Sequence, residues 1–126
     1  MTDRELLELA AKAAGLHVGF GYAYTESGCY DLYWSHVHHQ LVWHHKTAGS
    51  EYPEPVFWNP LTDDGDALRL AVKLEMELKA YNTSAHAASA KAERSVYAIY
   101  ASEKGDPYAA TRRAIVRAAA EIGRNT

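Results

Sequence analysis

The sequence predicts an α+β domain in which an antiparallel sheet of about four to five strands packs against three helices. Two segments repeat apolar residues at helical spacing behind polar capping residues, and a third begins at an Asp-Pro pair. Other segments alternate apolar and polar residues with the period of two that a strand imposes. The predicted order is α-β-β-(β)-α-β-β-α, and the length of 126 residues fits one domain spanning 1–126.

The first helix begins at a T-x-x-E capping box formed by Thr2 and Glu5. In such a box each side chain accepts a hydrogen bond from the other residue's backbone N–H, which satisfies donors that the first turn leaves unpaired. Gly15 is a natural end for this helix, because glycine accepts the left-handed conformation of a C-terminal cap. Between these residues one apolar stripe recurs at helical spacing, formed by Leu6, Leu9, Ala10 and Ala13.

Strand period follows in residues 16–45. Alternation from Leu16 to Tyr24 predicts one strand, and the "TESG" of residues 25–28 predicts a hairpin turn. A second strand then places Tyr30, Leu32 and Trp34 on one face. The following histidine-rich segment either continues this strand as one long bent strand or forms a further strand near Gln40–His45. Residues 47–60 hold three prolines and a glycine, which favour a loop or an irregular edge.

A second helix is predicted to begin at Asp63 or Asp64, where an acidic cap suits the helix dipole. Its buried stripe is formed by Ala67, Leu70, Ala71 and Leu74. Beyond it, Met76–Tyr81 alternates apolar and charged residues, so we predict a strand there, although helix propensity would allow the helix to continue.

The last third of the sequence predicts a strand and a helix. Arg94–Ala101 is rich in β-branched and aromatic residues, and we expect its Val96–Tyr100 to pair with Met76–Tyr81. Asn82–Glu93 is small and polar, which favours a flexible connection. Asp106 at the cap and Pro107 at the first helical position start the last helix, which is predicted to end near Gly123. Its predicted buried stripe is Tyr108, Ile115, Ala119 and Ile122.

Composition limits the functional classes. The net charge of −3 gives no general attraction to nucleic acid, so nucleic acid is not indicated as a partner. Cys29 is the only cysteine, which leaves no intrachain disulfide or cysteine-based zinc motif and fits a reducing compartment. Charged residues interrupt the apolar residues of the N-terminal segment, and no apolar run approaches the ~20 residues of a membrane span. We therefore expect a cytoplasmic protein with no membrane association.

Five of the seven histidines lie in "SHVHHQLVWHHK", residues 35–46. In an extended strand His36, His38 and His44 would share one face and could hold a divalent metal, because imidazole is a good ligand for zinc and nickel. His36-Val37-His38 also matches the His-hydrophobic-His motif of rolling-circle and relaxase nucleases, in which a tyrosine attacks the phosphodiester. Tyr108 would be the candidate tyrosine, but the residue three positions after it is a threonine, where such enzymes carry a lysine.

A metal-dependent nuclease using His36 and His38 is therefore one alternative, zinc or nickel binding without catalysis is a second, and a solvent-facing strand with no metal is the third. We expect that the cluster is not a tight structural metal site and that the protein needs no cofactor. The sequence contains no Gly-rich phosphate loop, no G-x-S-x-G and no H-E-x-x-H, so no catalytic residue is assigned.

The aromatic residues support a binding role. Nine tyrosines and three tryptophans are many for a domain of this size, and these residue types dominate binding hot spots. One interpretation is an exposed partner-binding face on the hairpin region, with at least some aromatic residues exposed; the other is an ordinary β-core. The predicted partner-binding residues are Tyr30, Trp34, His36, His38, Trp43, His44 and Tyr52.

Three phrases of the sequence resemble a family of small uncharacterised proteins encoded by bacteriophages and prophages. They are "FWNPLTDDGDALRLAVKL" at 57–74, "GDPYAATRRAIVRAAAEIGR" at 105–124 and "ELLELAAKAAGL" at 5–16. The resemblance implies a phage gene product acting in the cytoplasm of a bacterial host, and it implies no catalytic residue. It makes a host or phage protein the expected partner, with inhibition of a defence complex such as CRISPR–Cas as a specific expectation. The oligomeric state stays open.

Overall fold

A computed structural model describes residues 1–19, 30–43, 55–81, 84–89, 96–101 and 106–125. These residues form three helices: α1 Asp3–Ala13, α2 Asp64–Lys73 and α3 Pro107–Arg124. They also form seven strands: β1 Val18–Gly19, β2 Leu32–Ser35, β3 Gln40–Trp43, β4 Phe57–Trp58, β5 Met76–Ala80, β6 Ser84–Ser89 and β7 Val96–Ala101. The predicted α+β class with three helices is confirmed.

The described strands divide into two sheets, with the orders β1-β2-β3-β4 and β5-β6-β7. All neighbouring strands are antiparallel except β1 and β2, which run parallel with Val18 opposite Leu32. The alternation from Leu16 onward, with the turn signal after it, predicts that these two strands are the arms of one hairpin. This prediction is wrong, because β1 and β2 run parallel. The proposed turn at 25–28 lies outside the described residues. The loop or irregular edge predicted at residues 47–60 lies largely outside the described residues; its described part contains β4, the last strand of the first sheet.

The helix starts are as predicted. The Glu5 N–H donates to Thr2 Oγ1 at 3.2 Å, and the Thr2 N–H donates to Glu5 Oε2 at 3.0 Å, which completes the capping box. Gly15 follows α1 with a positive φ of 79°. At the other end of the chain, the Asp106 carboxylate accepts hydrogen bonds from the N–H groups of Tyr108 and Ala109 at 3.0 and 3.1 Å.

The transition from α2 to β5 confirms the strand predicted at Met76. Asp63 caps α2 by accepting the Asp66 N–H at 2.8 Å, and the predicted stripe from Ala67 to Leu74 is buried. The helix ends at Leu74, and Glu75 then adopts a positive φ of 53°, which redirects the backbone into β5. The alternating pattern therefore prevails over the helix propensity of this segment.

Strand β6 corrects the predicted flexible connection at Asn82–Glu93. Ser84–Ser89 lies between β5 and β7, so β5 pairs with β6 and does not pair with Val96–Tyr100. Ala85, Ala87 and Ser89 are buried while the residues between them are not. Burial thus has strand period, but the alternating side chains are too small to give a strong hydropathy signal. Small residues suit this strand because α3 packs directly against it.

Tyr108 also departs from the prediction, because its side chain is 70% exposed instead of lying in the buried stripe of α3. The inner face of this helix is built mainly from alanines, together with Ile115 and Val116. One hydrophobic cluster joins both sheets and all three helices, with Leu32 and Leu41 fully buried within it. None of the helices in the described ranges combines the length and the hydropathy needed to cross a bilayer.

Candidate binding site

Four consecutive residues, His36-Val37-His38-His39, form the turn between β2 and β3. The two strands pair with Ser35 opposite Gln40, so the chain reverses within these four residues. Of the two possibilities that the sequence left open, the further strand near Gln40 is confirmed for Gln40–Trp43. His36 and His38 therefore lie on a hairpin tip and not on a strand.

Ser35 holds the turn together. Its Oγ accepts the His38 N–H at 3.2 Å and lies 3.0 Å from His38 Nδ1, while its backbone carbonyl accepts the His39 N–H at 2.8 Å. His39 adopts a positive φ of 53°, a conformation that a four-residue turn requires and that histidine tolerates better than most residues. The result is an ordered tip with all four side chains exposed, and Val37 is 85% exposed.

This geometry removes the premise of the metal hypothesis that was based on a strand face. His36 and His38 do not project from one extended strand, and His44 lies outside the described residues. Within the described ranges, no three or more His, Cys, Asp or Glu side chains are grouped so that they could hold a metal ion. Tyr108, the candidate nucleophile, lines a depression with residues of α2 and β5.

The predicted aromatic anchors are half-buried instead of exposed. The Tyr30 ring lies directly against Gly19, where a Cβ would come within 1.6 Å of the ring. Trp34 packs against the core, with the Arg4 guanidinium 4.7 Å from the centroid of its ring. Trp43 also packs against the core. Tyr52 and His44 lie outside the described residues. Among the described members of the predicted set, His36 and His38 are the exposed ones.

Beside the hairpin lies an open groove of about 630 Å³. Its apolar wall comes from β3, β4 and the end of α1, and its other wall comes from α2. Of the predicted partner-binding residues that the structure describes, Trp43 is the one that lines this groove. The apolar lining residues are Ala14, Leu16, Trp43, Val56, Phe57, Trp58 and Leu70. A concave, mainly apolar surface with a few charged groups is typical of a ligand or side-chain binding site.

The α2 wall carries two carboxylates and two cations: Asp63, Asp66, Arg69 and Lys73. Asp66 is buried and accepts the Asn59 N–H at 2.9 Å and Arg69 Nη2 at 2.8 Å, so its role is structural. Asp63 is engaged as the helix cap. The Arg69 side chain is 73% exposed and Lys73, one helical turn later, is also exposed. Arg69 pairs with Asp66 at 2.8 Å and with Asp63 at 3.9 Å, and the Asp63 side chain is itself 59% exposed, so this wall presents charges of both signs to solvent.

Phe57 joins the turn to the groove. It pairs with Val42 across the β3–β4 ladder, and its ring centroid lies 5.3 Å from that of His38 at an interplanar angle of 56°. The same side chain lines the groove. The turn and the groove therefore form one continuous surface, which we call the binding face: residues 36–39, Trp43, Val56, Phe57, Arg69 and Lys73.

Sequence reasoning identified His36, His38 and Trp43 of this face. It missed Val37, His39, Val56, Phe57, Arg69 and Lys73. The i, i+4 spacing of Arg69 and Lys73 beside the buried stripe of α2 is the one signal that was available. Comparisons of the chain with protein-family models, with curated proteins and with solved structures find no match.

Proposed function

We propose that this protein binds another protein without catalysis, through the binding face. The observation that carries the proposal is the contact between His38 and Phe57, because it makes an exposed hairpin tip continuous with an aromatic groove. A protruding tip beside a concave apolar site offers a partner both shape and chemistry. Val37 supports this role, since a strongly exposed aliphatic side chain at a turn between histidines has no packing function within the fold.

The groove indicates the chemistry of the partner. Its aromatic wall suits an aliphatic or aromatic side chain, which gains free energy on leaving water. Arg69, Lys73 and the exposed Asp63 carboxylate line the opposite wall and suit a polar or charged group next to that side chain. The exposed imidazoles of His36 and His38 add groups that both donate and accept hydrogen bonds at the rim. The proposed partner therefore presents an apolar residue flanked by polar or charged ones.

The biological setting of this proposal rests on the phage-like phrases quoted above. A phage or prophage accessory protein of this kind acts in the cytoplasm of a bacterial host and binds a host or phage protein. Inhibition of a host defence complex such as CRISPR–Cas is the specific form of the proposal.

The experiment is affinity capture from lysates of phage-infected bacteria, followed by titration of the purified partner. We expect Val37→Asp and Lys73→Glu each to weaken binding at least about tenfold, because one places a charge in the apolar contact and the other replaces an exposed cation of the groove with a carboxylate. The matched control is Arg117→Glu, an exposed charge reversal on α3 away from the binding face, which should bind like the original chain.

Melting temperatures of all three variants should stay close to that of the original chain, since these side chains are exposed. Equal capture of the partner by all variants would show that the binding face is not where the partner binds. A metal-dependent DNA strand cleavage that disappears in the double variant His36→Ala/His38→Ala would also overturn the proposal, in favour of the metal-dependent enzyme.

A further inference from the structure

The outer edge of β5 is a second surface with unused bonding capacity. Within the described ranges, β5 is the end strand of its sheet and pairs with β6 alone. Four of its five residues, from Glu77 to Ala80, are exposed. A flat, exposed edge strand is a template for pairing with another strand.

The hydrogen-bond pattern shows which groups face outward. The Tyr81 N–H donates to the Ser84 carbonyl at 2.7 Å, which marks these two residues as a hydrogen-bonded pair of the β5–β6 ladder. Such pairs alternate along an antiparallel ladder, so Lys79 and Glu77 also direct their backbone groups toward β6. The N–H and C=O groups of Met76, Leu78 and Ala80 consequently point to the outer edge.

Apolar side chains lie beside this edge. Leu78 is opposite Ala87, which is buried under the helices, yet Leu78 itself is 39% exposed because no further strand covers it within the described residues. Leu78 lines a shallow, almost wholly apolar depression together with Leu68 of α2 and Tyr108 of α3, both of which are strongly exposed. Large exposed apolar side chains grouped in this way are typical of an interaction surface.

We propose that this edge binds a second copy of the same chain, with β5 pairing antiparallel to the partner's β5 about a two-fold axis at Leu78. The outward-facing residues then meet in register: Leu78 pairs with the partner's Leu78, and Met76 pairs with the partner's Ala80. Each of these pairs exchanges hydrogen bonds, so every outward backbone group of β5 is satisfied. The two-fold axis leaves the helices of both copies on the same side of one continuous sheet, to which each copy contributes three strands.

Charge selects this register over its neighbours. With the axis at Leu78, Glu77 lies opposite the partner's Lys79, and the same pair recurs on the other side of the axis. A shift of two residues, the smallest that keeps the outward groups paired, sets Glu77 against the partner's Glu77 in one direction and Lys79 against the partner's Lys79 in the other. Like charges directly opposite each other are destabilising, so the Leu78-centred register is favoured.

The same charges explain why the partner is a second copy. A lysine on an edge strand ordinarily discourages pairing with unrelated strands. Here Glu77 and Lys79 flank Leu78 symmetrically, so β5 is complementary to itself in the antiparallel sense. Any other antiparallel strand would have to carry the same Glu-x-Lys order at the same spacing.

The test is the molecular mass of the full chain, measured by sedimentation equilibrium across a concentration series. We expect a monomer–dimer equilibrium for the original chain. Glu77→Lys and Lys79→Glu should each weaken dimerisation at least about tenfold, because each places two like-charge pairs across the seam. Both residues are exposed, so the melting temperatures of the two variants should stay close to that of the original chain, which would show that the variants are folded.

Mixing the two variants should restore a dimer, since lysines at 77 and 79 of one chain then face glutamates at 79 and 77 of the other. The control Arg117→Glu, with the same charge change as Lys79→Glu, should dimerise like the original chain. A chain that stays monomeric at the highest concentration would overturn the proposal. So would unchanged dimerisation of both single variants, or a mixture that remains monomeric.

Discussion

The first sheet buries large side chains, whereas strand β6 of the second sheet buries small ones. Leu32, Leu41 and Trp58 fill the space between the first sheet and the rest of the core. In the second sheet, Ala85 and Ala87 of β6 meet the alanine-rich face of α3. Large side chains hold a layer at a distance and leave room for a groove at its edge. Small side chains let the helix and the strand approach each other closely.

The largest expected effect is on the first sheet. We expect Leu41→Ala to lower the free energy of unfolding by about 2–5 kcal/mol, because Leu41 is fully buried and its loss leaves a cavity. Denaturant unfolding of the purified variant measures this change. Val37→Ala in the adjoining turn is the control and should change stability by less than about 0.5 kcal/mol. Similar losses for both variants would mean that the turn is part of the core.

The opposite change should damage the second sheet. We expect Ala87→Leu to destabilise the protein by about 1–3 kcal/mol, because three extra carbons have no space under α3. Ala88→Leu makes the same substitution one residue later, on the other face of β6, and should cost much less. Thermal unfolding of the two variants side by side gives the comparison. If Ala87→Leu is tolerated as well as Ala88→Leu, the alanine layer is not tightly packed.

Arg112 links α3, which packs on the second sheet, to the segment that follows the first sheet. Its Nε donates to the Leu61 carbonyl at 2.8 Å and its Nη1 to Asp64 Oδ1 at 2.7 Å, so α3 is tied to the segment between β4 and α2. We expect Arg112→Gln to cost about 1–2 kcal/mol of stability, because the Leu61 carbonyl loses its charged donor. Arg117→Gln on the exposed side of α3 is the matched control. Equal melting temperatures for the two variants would contradict a linking role for Arg112.

The smallest expected effect is that of a chelator. Untagged protein treated with EDTA should keep its melting temperature, because Ser35 and backbone hydrogen bonds already hold the histidine turn. Differential scanning calorimetry with and without EDTA measures this. Loss of a bound metal together with a drop of several degrees would show that metal-binding free energy is part of the folding free energy.

Local signals predicted the elements that local chemistry determines. The capping box at Thr2, the Asp106-Pro107 start of α3 and the strand from Met76 were all readable, because each depends on neighbouring residues. Strand β6 was missed because a run of Ser, Ala and His has little hydropathic contrast. It becomes a central strand only because β5 and β7 flank it and α3 covers it.

The candidate site was predictable in part for the same reason. The histidine cluster is visible as composition, but its form as a turn depends on the pairing of Ser35 with Gln40, which no periodicity shows. Arg69 and Lys73 reach the groove because α2 lines it together with β3 and β4, an arrangement of separate segments of the chain. The half-buried state of Trp34 likewise depends on Arg4, which lies thirty residues earlier.

The packing of α1 on α3 has a consequence for the order in which the chain folds. Arg113 binds Asp3 at 2.9 Å across a separation of 110 residues, and Leu6 and Leu7 are buried in the core to which α3 contributes. During synthesis α1 leaves the ribosome while its partner helix is still untranslated, at about 5–20 residues per second. The apolar face of α1 therefore stays without its α3 contacts for several seconds after it is synthesised. Contacts between distant segments also slow the final docking. Of the three described helices, α3 is translated last, and its docking completes the contacts of α1.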